Sequence, residues 1–185
     1  MKKLTLLLIV LIPVLAFAQA KYITRAGHAN LFSHTVAEDI TADNYKVTST
    51  INTETGEMVF IVPVQSFEFE KALMQKHFNQ ENFMNSKEYP KIKFKGKIKN
   101  LSTVKWDTDG KYPVTVVGDL TIRDVTKPIS EEGTILIKDG KITTSSVFIV
   151  KQITDYHVGK PTRKSKSNNV ADDIKITFKG IYKVK

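Results

Sequence analysis

Residues 91–99 alternate strictly, with lysine at every odd position and an apolar residue or glycine at every even position. A helix cannot separate these two sets, whereas a β-strand places successive side chains on opposite faces. The stretch therefore predicts a strand with one buried face and one solvated face. Residues 114–122 and 174–184 show nearly the same two-residue period, so the pattern indicates a chain built from strands.

Turn signals separate the alternating segments and predict hairpins. Asp139-Gly140 and Thr55-Gly56 each stand between two strand-like runs, and Asp-Gly favours tight two-residue turns. Counting the runs between such signals predicts about eight strands. The predicted strands are 22–35, 45–51, 58–64, 91–99, 112–122, 134–138, 141–150 and 174–184.

Many strands without crossover helices predict a barrel or a sandwich. A closed barrel is favoured because it leaves no sheet edge exposed. The sequence therefore predicts an all-β protein, an eight-stranded antiparallel β-barrel formed by residues 21–185 as a single domain. Gly96 and Gly118 lie on apolar faces within predicted strands, where glycine indicates a bend or a bulge.

Two segments interrupt the strand pattern. Residues 67–85 are rich in helix formers and predict one or two short helices at one end of the barrel. Residues 158–169 combine glycine, proline and several basic residues, which predicts a long loop. Its charges are typical of a solvated loop, or alternatively of a loop that receives an anionic head group at the barrel mouth. The basic residues are Lys160, Arg163, Lys164 and Lys166.

The first twenty residues have the order of a secretory signal peptide. Lys2 and Lys3 precede the apolar run 4–17, and Ala18 lies within a small-residue cleavage signal. The apolar run is shorter than the ~20 residues that a membrane-spanning helix needs. We therefore expect residues 1–20 to be removed and the mature protein to be periplasmic or secreted.

Composition argues against several other classes of protein. The chain has no cysteine, so it can form no disulfide and carry no lipid on a cysteine. Its formal charge of +9 falls to +7 without Lys2 and Lys3. Because the lysines are spread singly along strands, we expect no nucleic-acid binding and favour transient contact with an anionic membrane surface.

No catalytic motif is recognisable, and we expect no enzymatic activity, no cofactor and no metal site. His28 and His34 lie an even number of residues apart and therefore share one face of the first strand. Ordinary surface histidines are favoured over metal ligands, because neither HxH nor HxxxH spacing nor a carboxylate cluster accompanies them. A hydrolase or metalloenzyme hypothesis would depend on this pair alone.

Phenylalanine residues occur throughout the predicted strands, and they either fill the interior of the barrel or line a cavity within it. An eight-stranded barrel is either filled by its own side chains or holds one small ligand. Alternation alone does not distinguish these cases. The phenylalanines concerned are Phe32, Phe60, Phe94, Phe148 and Phe178.

Two segments resemble the YceI-like family, the periplasmic polyisoprenoid-binding barrels related in shape to lipocalins. Residues 82–94, NFMNSKEYPKIKF, are similar to the phenylalanine-rich segment and YPxxxF strand of that family. Residues 117–129, VGDLTIRDVTKPI, are similar to its GxLTIRGVTKPV turn, with Asp124 where the family usually has glycine. Asp155-Tyr156 is a weaker match to its DYG-like pattern.

The resemblance implies a lipocalin-like barrel whose apolar interior holds an isoprenoid or fatty-acid-like lipid for transport, storage or sequestration. Met74 and Phe78, in the predicted helical segment, are the candidate lid residues if that segment covers a cavity, whereas most such helices simply plug the end of a barrel. A homodimer is compatible with the family. The expected lipid-binding residues are Phe32, Phe60, Val62, Met74, Phe78, Phe94, Ile98, Val116, Leu120, Phe148, Ile176 and Phe178. The alternative function is a ligand-free, filled barrel that acts as a secreted envelope stress or interaction protein.

Overall fold

The computed structural model describes residues 21–35, 38–159 and 171–184 of the 185-residue chain. Within these ranges the chain forms nine strands, one α-helix and three short 3₁₀ turns. The strands are β1 (Lys21–His34), β2 (Asp39–Asn52), β3 (Glu57–Pro63), β4 (Glu68–Phe69), β5 (Lys91–Ile98), β6 (Gly110–Ile122), β7 (Val125–Lys138), β8 (Lys141–Val150) and β9 (Ile174–Val184). Helix α1 spans Ala72–Phe78, and the 3₁₀ turns are Val64–Ser66, Leu101–Thr103 and Ile153–Tyr156.

Eight of these strands close into an antiparallel barrel, in which each strand pairs with the next barrel strand along the chain. β1 pairs with β2 on one side and with β9 on the other, which joins the two ends of the sheet. The two-residue strand β4 pairs antiparallel with the first part of β2, with Phe69 opposite Ala42. The predicted eight-stranded antiparallel barrel is therefore confirmed.

The alternation in β5 sorts its side chains as predicted. Lys93, Lys95 and Lys97 are exposed on the outer face, whereas Phe94 and Ile98 are buried inside the barrel. The lysine ammonium groups stay hydrated while the apolar side chains are removed from water, because the two sets lie on opposite faces of one strand. The same division along the other strands produces a solvated wall around an apolar interior.

Tight turns close one end of the barrel, which we call the turn end. Asp139 and Gly140 connect β7 to β8 with φ angles of 49° and 70°, the left-handed conformation that a two-residue hairpin turn requires. At the β2–β3 turn, Gly56 has a φ of 72° and donates a backbone hydrogen bond to the carbonyl of Asn52 at 2.9 Å. Both predicted hairpin turns are confirmed.

Helix α1 lies at the opposite end of the barrel, which we call the helix end. The ring of Phe78 packs against Phe67 and Phe69, with ring centroids 5.4 and 4.9 Å away. One short helix therefore forms within the predicted segment 67–85, and turns make up most of the remainder. Among the residues that the structure describes, no helix is long and apolar enough to cross a membrane.

Gly96 and Gly118 were predicted to mark a bend or a bulge, and the structure excludes the bulge. These two glycines lie opposite each other in an unbroken register between β5 and β6. The irregular register lies in β1, between Thr24 and Gly27 and between Gly27 and Ala29. The two strand glycines serve close packing instead.

Two strands are longer than the alternating pattern predicted. β2 begins at Asp39 and β7 at Val125, whereas the pattern placed their starts at residues 45 and 134. Polar residues interrupt the apolar rows there, and pairing of β7 with β6 along its whole length holds it extended. The predicted signal peptide at 1–20 and residues 160–169 of the predicted loop lie outside the described residues.

Candidate functional site

An apolar cavity of about 180 Å³ lies in the middle of the barrel. A cavity needs roughly 10–15 Å³ to hold one water molecule, so this space is many times larger than a packing defect. A cluster of buried side chains fills the barrel toward the turn end, and it includes Ile51, Ile135 and Tyr182. The interior is therefore hollow in the middle and filled at the turn end, which favours a barrel that holds a ligand over the filled barrel of the alternative hypothesis.

Most of the predicted lipid-binding residues surround this cavity. They lie on β3, β5, β6, β8 and β9, each at a position that alternation directs inward. The structure thus brings together side chains from five strands that are far apart in the sequence. The predicted residues that line the cavity are Phe60, Val62, Phe94, Val116, Leu120, Phe148, Ile176 and Phe178.

Phe32 does not line the cavity, which corrects its predicted inward orientation. Its neighbours Leu31 and Ser33 are buried inside the barrel, so Phe32 lies on the outer face of β1. It is opposite Thr41 on one side and Lys175 on the other. Apolar residues occur at both odd and even positions of β1. For that reason the sequence pattern did not identify which side chains of this strand point inward.

Three more predicted residues lie outside the cavity wall. Ile98 is buried, but it belongs to the cluster that fills the turn end. Met74 and Phe78 lie on α1 and are half-buried without bordering the cavity. Phe78 packs against Phe67, and the cavity touches Phe67 instead. Helix α1 therefore covers the end of the barrel without touching the cavity, because Phe67 lies between them.

Three phenylalanine rings make up part of the cavity wall. The ring of Phe60 meets Phe94 and Phe178 edge-to-face, with centroids 5.9 and 5.0 Å away. Edge-to-face contact is a favourable aromatic geometry and keeps the rings in fixed orientations. This part of the wall is consequently stiff and apolar, a surface suited to contact with a hydrocarbon chain.

Many wall residues were not among the predicted lipid-binding residues, although several of them belong to the predicted inward rows. Val114 and Ile122 follow the alternation of Val116 and Leu120 on β6, so the signal for them was present. Glu131 was missed for another reason, because the predicted strand began at residue 134 and excluded it. The apolar wall residues not predicted are Ala29, Val47, Met58, Phe67, Ile92, Val114, Ile122, Ile129, Ile135 and Val150.

The cavity reaches the surface between β7 and β8. These strands pair from Gly133 opposite Ser146 down to the turn end, and residues 125–132 have no ladder partner among the described residues of β8. The outward-facing residues Glu132 and Ser145 border the cavity beside this fork. Because outward residues touch the cavity only where the wall is breached, we call this place the β7–β8 opening.

Charged and aromatic residues frame the β7–β8 opening. Toward the helix end, Lys127 forms an ion pair with Asp155 at 2.5 Å and lies 5.2 Å from the centroid of the Tyr156 ring. Glu131 points inward at the opening, where burial raises the pKa of its carboxyl group and the charge of Lys151 opposes the shift. The opening is the part of the cavity where polar groups meet the apolar wall.

Arg123 joins the two segments that carry the sequence resemblance. Its guanidinium donates hydrogen bonds to the carbonyl oxygens of Phe83, at 2.7 Å, and His157, at 2.5 Å. The same group lies 5.4 Å from the centroid of the Tyr89 ring. A planar, permanently charged donor suits this arrangement, since it can bond two carbonyls and face an aromatic ring together. Arg123 thereby holds the helix end to the β6–β7 turn.

The two histidines of β1 lie on the outer surface and pair with different carboxylates. Nε2 of His28 is 2.6 Å from Asp43, and Nδ1 of His34 is 2.6 Å from Asp39. Hydrogen bonds from His28 and then Asn30 lower the pKa of the Asp43 carboxyl group. Within the described ranges, no three histidine or acidic side chains come together as a metal site would require.

Comparison with known proteins adds a family and a set of shared folds. Residues 20–181 match the YceI-like domain family. No curated protein matches the chain.

The barrel is similar to several solved structures. A polyisoprenoid binding domain from Saccharophagus degradans, implicated in plant cell wall breakdown, is 13% identical with a TM-score of 0.75, covering 90% of this chain and 99% of that one. BcnA of Burkholderia cenocepacia is 17% identical with a TM-score of 0.69, covering 85% and 96%. The YCEI protein of Campylobacter jejuni is 20% identical with a TM-score of 0.60, covering 82% and 90%. At these identities the likeness shows a shared fold.

Proposed function

Because the chain belongs to the YceI-like domain family, we propose that it binds one long apolar chain, of the polyisoprenoid or fatty-acyl type, inside its barrel. The observation that carries this proposal is the apolar cavity of about 180 Å³ in the middle of the barrel. The similar fold of a domain described as polyisoprenoid-binding supports the same ligand class. The role is transport, storage or sequestration, and it needs no covalent chemistry.

The physical basis of binding is the removal of hydrocarbon from water. Each square ångström of apolar surface that leaves water contributes about 25 cal/mol, so a long chain gains substantially from an apolar enclosure. The rings of Phe60, Phe94 and Phe178 and the side chains of Val116 and Leu120 supply that surface. Since an apolar wall offers few directional contacts, it favours hydrocarbon over polar ligands but discriminates little between one hydrocarbon chain and another.

Export from the cytoplasm is part of the proposal. The positive, apolar and small residues of 1–20 support a cleaved signal peptide, and the family match begins at residue 20. Mass determination of the mature N-terminus, combined with fractionation of the source cells, tests this directly. An intact protein that begins at Met1 in the cytoplasmic fraction would contradict export but not lipid binding.

Contact with a membrane surface is a further part of the proposal. Val147 and Ile149 are exposed on the outer face of β8, beside the β7–β8 opening. Lys175, opposite Ile149 on β9, and Lys151 add positive charge nearby. Apolar side chains flanked by lysines suit an anionic lipid surface. Vesicles of phosphatidylglycerol should therefore retain the protein better than vesicles of phosphatidylcholine, and the double variant Val147→Ser/Ile149→Ser should reduce that retention.

Native mass spectrometry of gently purified protein tests lipid binding. We expect an added mass with an isoprenoid or acyl signature after solvent extraction. The variants Val116→Trp and Leu120→Trp should lose that mass because the indole occupies the cavity, while Asp119→Trp, on the outer face of the same strand, should keep it. Circular dichroism establishes that each variant is folded. Folded inward variants that still carry the lipid would exclude an interior site.

A further inference from the structure

Glu131 interrupts an otherwise apolar row of inward positions on β7. Its neighbours in that row are Ile129, Gly133 and Ile135, and all of them border the cavity. Glu131 lies directly opposite Val116 of β6, a cavity residue, so its side chain leaves the strand on the same face. A carboxylate at such a position loses solvation unless another group replaces the water that it gives up.

No such group is found among the described residues. The structure gives the Glu131 carboxylate no hydrogen bond and no ion pair within the described ranges, and Lys151 acts on it only through space. The raised pKa of the Glu131 carboxyl group is the consequence, because burial disfavours its charged form. A partly desolvated acceptor without a donor therefore lies where the cavity meets the surface.

The cavity is accessible beside this acceptor. Gly133, the next inward residue, borders the cavity and presents no side chain to it. The Ser146 hydroxyl is already engaged, because it donates a hydrogen bond to the carbonyl of Glu132. Among the described side chains at the β7–β8 opening, Glu131 is thus the inward-facing carboxylate, and no hydrogen bond occupies its oxygen atoms.

We propose that the polar end of the bound lipid lies in the β7–β8 opening and donates a hydrogen bond to Glu131. This inference rests on the proposed lipid-binding function and specifies its ligand class. The lipid ends in a hydroxyl, amide or amine group, which can donate to the carboxylate. A diphosphate or carboxylate end is disfavoured, since a second negative charge beside a partly desolvated carboxylate is repelled.

An inward charge also has a second use in β-proteins. Residues 125–132 of β7 have no ladder partner on β8, and an inward carboxylate deters pairing of such an edge with another chain. That use predicts an effect of Glu131 on self-association. It predicts no effect on the choice between two ligands with the same hydrocarbon chain, so the two uses are separable.

The experiment measures binding of two probes that share one hydrocarbon chain and differ at the polar end. Geranylgeraniol carries a hydroxyl group, and geranylgeranyl diphosphate carries an anionic group. Delipidated full-length mature protein is titrated with each probe by native mass spectrometry and by calorimetry. The wild type should bind the alcohol about tenfold more tightly than the diphosphate, the effect of one charge-assisted hydrogen bond.

Two variants isolate the carboxylate. Glu131→Gln should reduce the preference for the alcohol to about twofold or less, because the charge that repels the diphosphate is gone. Asp119→Asn removes one negative charge from the outer face of the neighbouring strand β6, away from the cavity, and should leave the preference at its wild-type value. Circular dichroism and sedimentation confirm that both variants are folded and show whether either self-associates.

Each result has a distinct meaning. Equal binding of the two probes by the wild type, or a preference unaltered in Glu131→Gln, overturns the head-group inference and leaves the proposed function intact. Self-association of Glu131→Gln with unchanged ligand preference assigns the carboxylate to edge protection and likewise overturns the inference. Binding of neither probe overturns both proposals.

Discussion

Gly96 and Gly118 lie directly opposite each other across β5 and β6, and the ring of Phe94 packs over both of them. A Cβ atom at Gly96 would lie 2.4 Å from the carbonyl oxygen of Val117, and one at Gly118 would lie 2.4 Å from the carbonyl oxygen of Lys95. These are backbone atoms, which cannot rotate away as a side chain can. The glycine pair thus provides the space in which an aromatic ring of the cavity wall packs against the sheet.

Gly96→Ala and Gly118→Ala should each destabilise the protein by about 1–3 kcal/mol, the usual cost of overpacking a close contact. The added methyl group must displace the Phe94 ring, Cζ of which lies 2.5 Å from the built Cβ at Gly96. Urea unfolding measures the change in the free energy of unfolding. Gly133→Ala is the matched comparison and should cost less, because the atom nearest to its built Cβ, the carbonyl oxygen of Ser145, is 3.2 Å away. An alanine at either strand position with unchanged stability would show that the ring is not confined.

Tyr182→Phe should lower the free energy of unfolding by about 1 kcal/mol. The Tyr182 hydroxyl donates a hydrogen bond to Oγ of Ser49 at 2.8 Å, and Ser49 is 1% exposed. Removing the donor leaves the buried serine oxygen without that bond. A double-mutant cycle with Ser49→Ala measures the coupling by urea unfolding. Strictly additive losses would show that the bond contributes nothing.

Alkaline pH should destabilise the wild type more than Tyr182→Phe. Burial raises the pKa of the Tyr182 hydroxyl above its ordinary value of 10.0, while hydrogen bonds with Ser49 and Thr144 oppose the shift. The unfolded chain therefore releases this proton at a lower pH than the folded protein does. The stabilisation is complete below pH 10 and decreases as the pH rises toward the folded-state pKa. Urea unfolding from pH 8 upward should show a smaller decline for the phenylalanine variant.

Glu131→Gln should raise the free energy of unfolding slightly at neutral pH. Burial raises the pKa of the Glu131 carboxyl group from its ordinary value of 4.5, so the folded protein favours the neutral form. The wild type is therefore relatively more stable at low pH and loses this advantage as the pH rises through the folded-state pKa. The difference between wild type and variant should vanish below pH 4.5. A variant less stable than the wild type at pH 7 would contradict this account.

Arg123→Lys should loosen the helix end without unfolding the barrel. Lysine carries the charge but lacks the planar group that bonds the carbonyls of Phe83 and His157 together. Hydrogen exchange should accelerate around these two residues and remain unchanged in β5. Arg25→Lys, an exposed change on β1, is the control and should alter neither region. Equal protection around Phe83 in both variants would show that Arg123 does not hold this end.

The family-like segments were recognisable in the sequence, but their contact was not. Tyr89 and Arg123 are separated by more than thirty residues of chain, and their packing depends on how β5 and β6 are placed in the closed barrel. The same limit applies to Phe32, since local alternation cannot decide which face is inner when both carry apolar residues. Pairing with β2 and β9 decided it.

The sequence by itself determined the number of barrel strands and the turns after β2 and β7, because alternation and turn chemistry act between near neighbours. It did not determine where β2 and β7 begin. The alternating lysines of β5 and the Asp139-Gly140 turn were predicted correctly without knowledge of any distant contact. Only the tertiary structure decided that the barrel is hollow, that Phe32 lies outside, and that the cavity opens beside Glu131. These properties depend on where long-range strand pairing begins and ends. A carboxylate within an apolar row can contact a ligand only because the neighbouring strands are unpaired beside it and the cavity is open there.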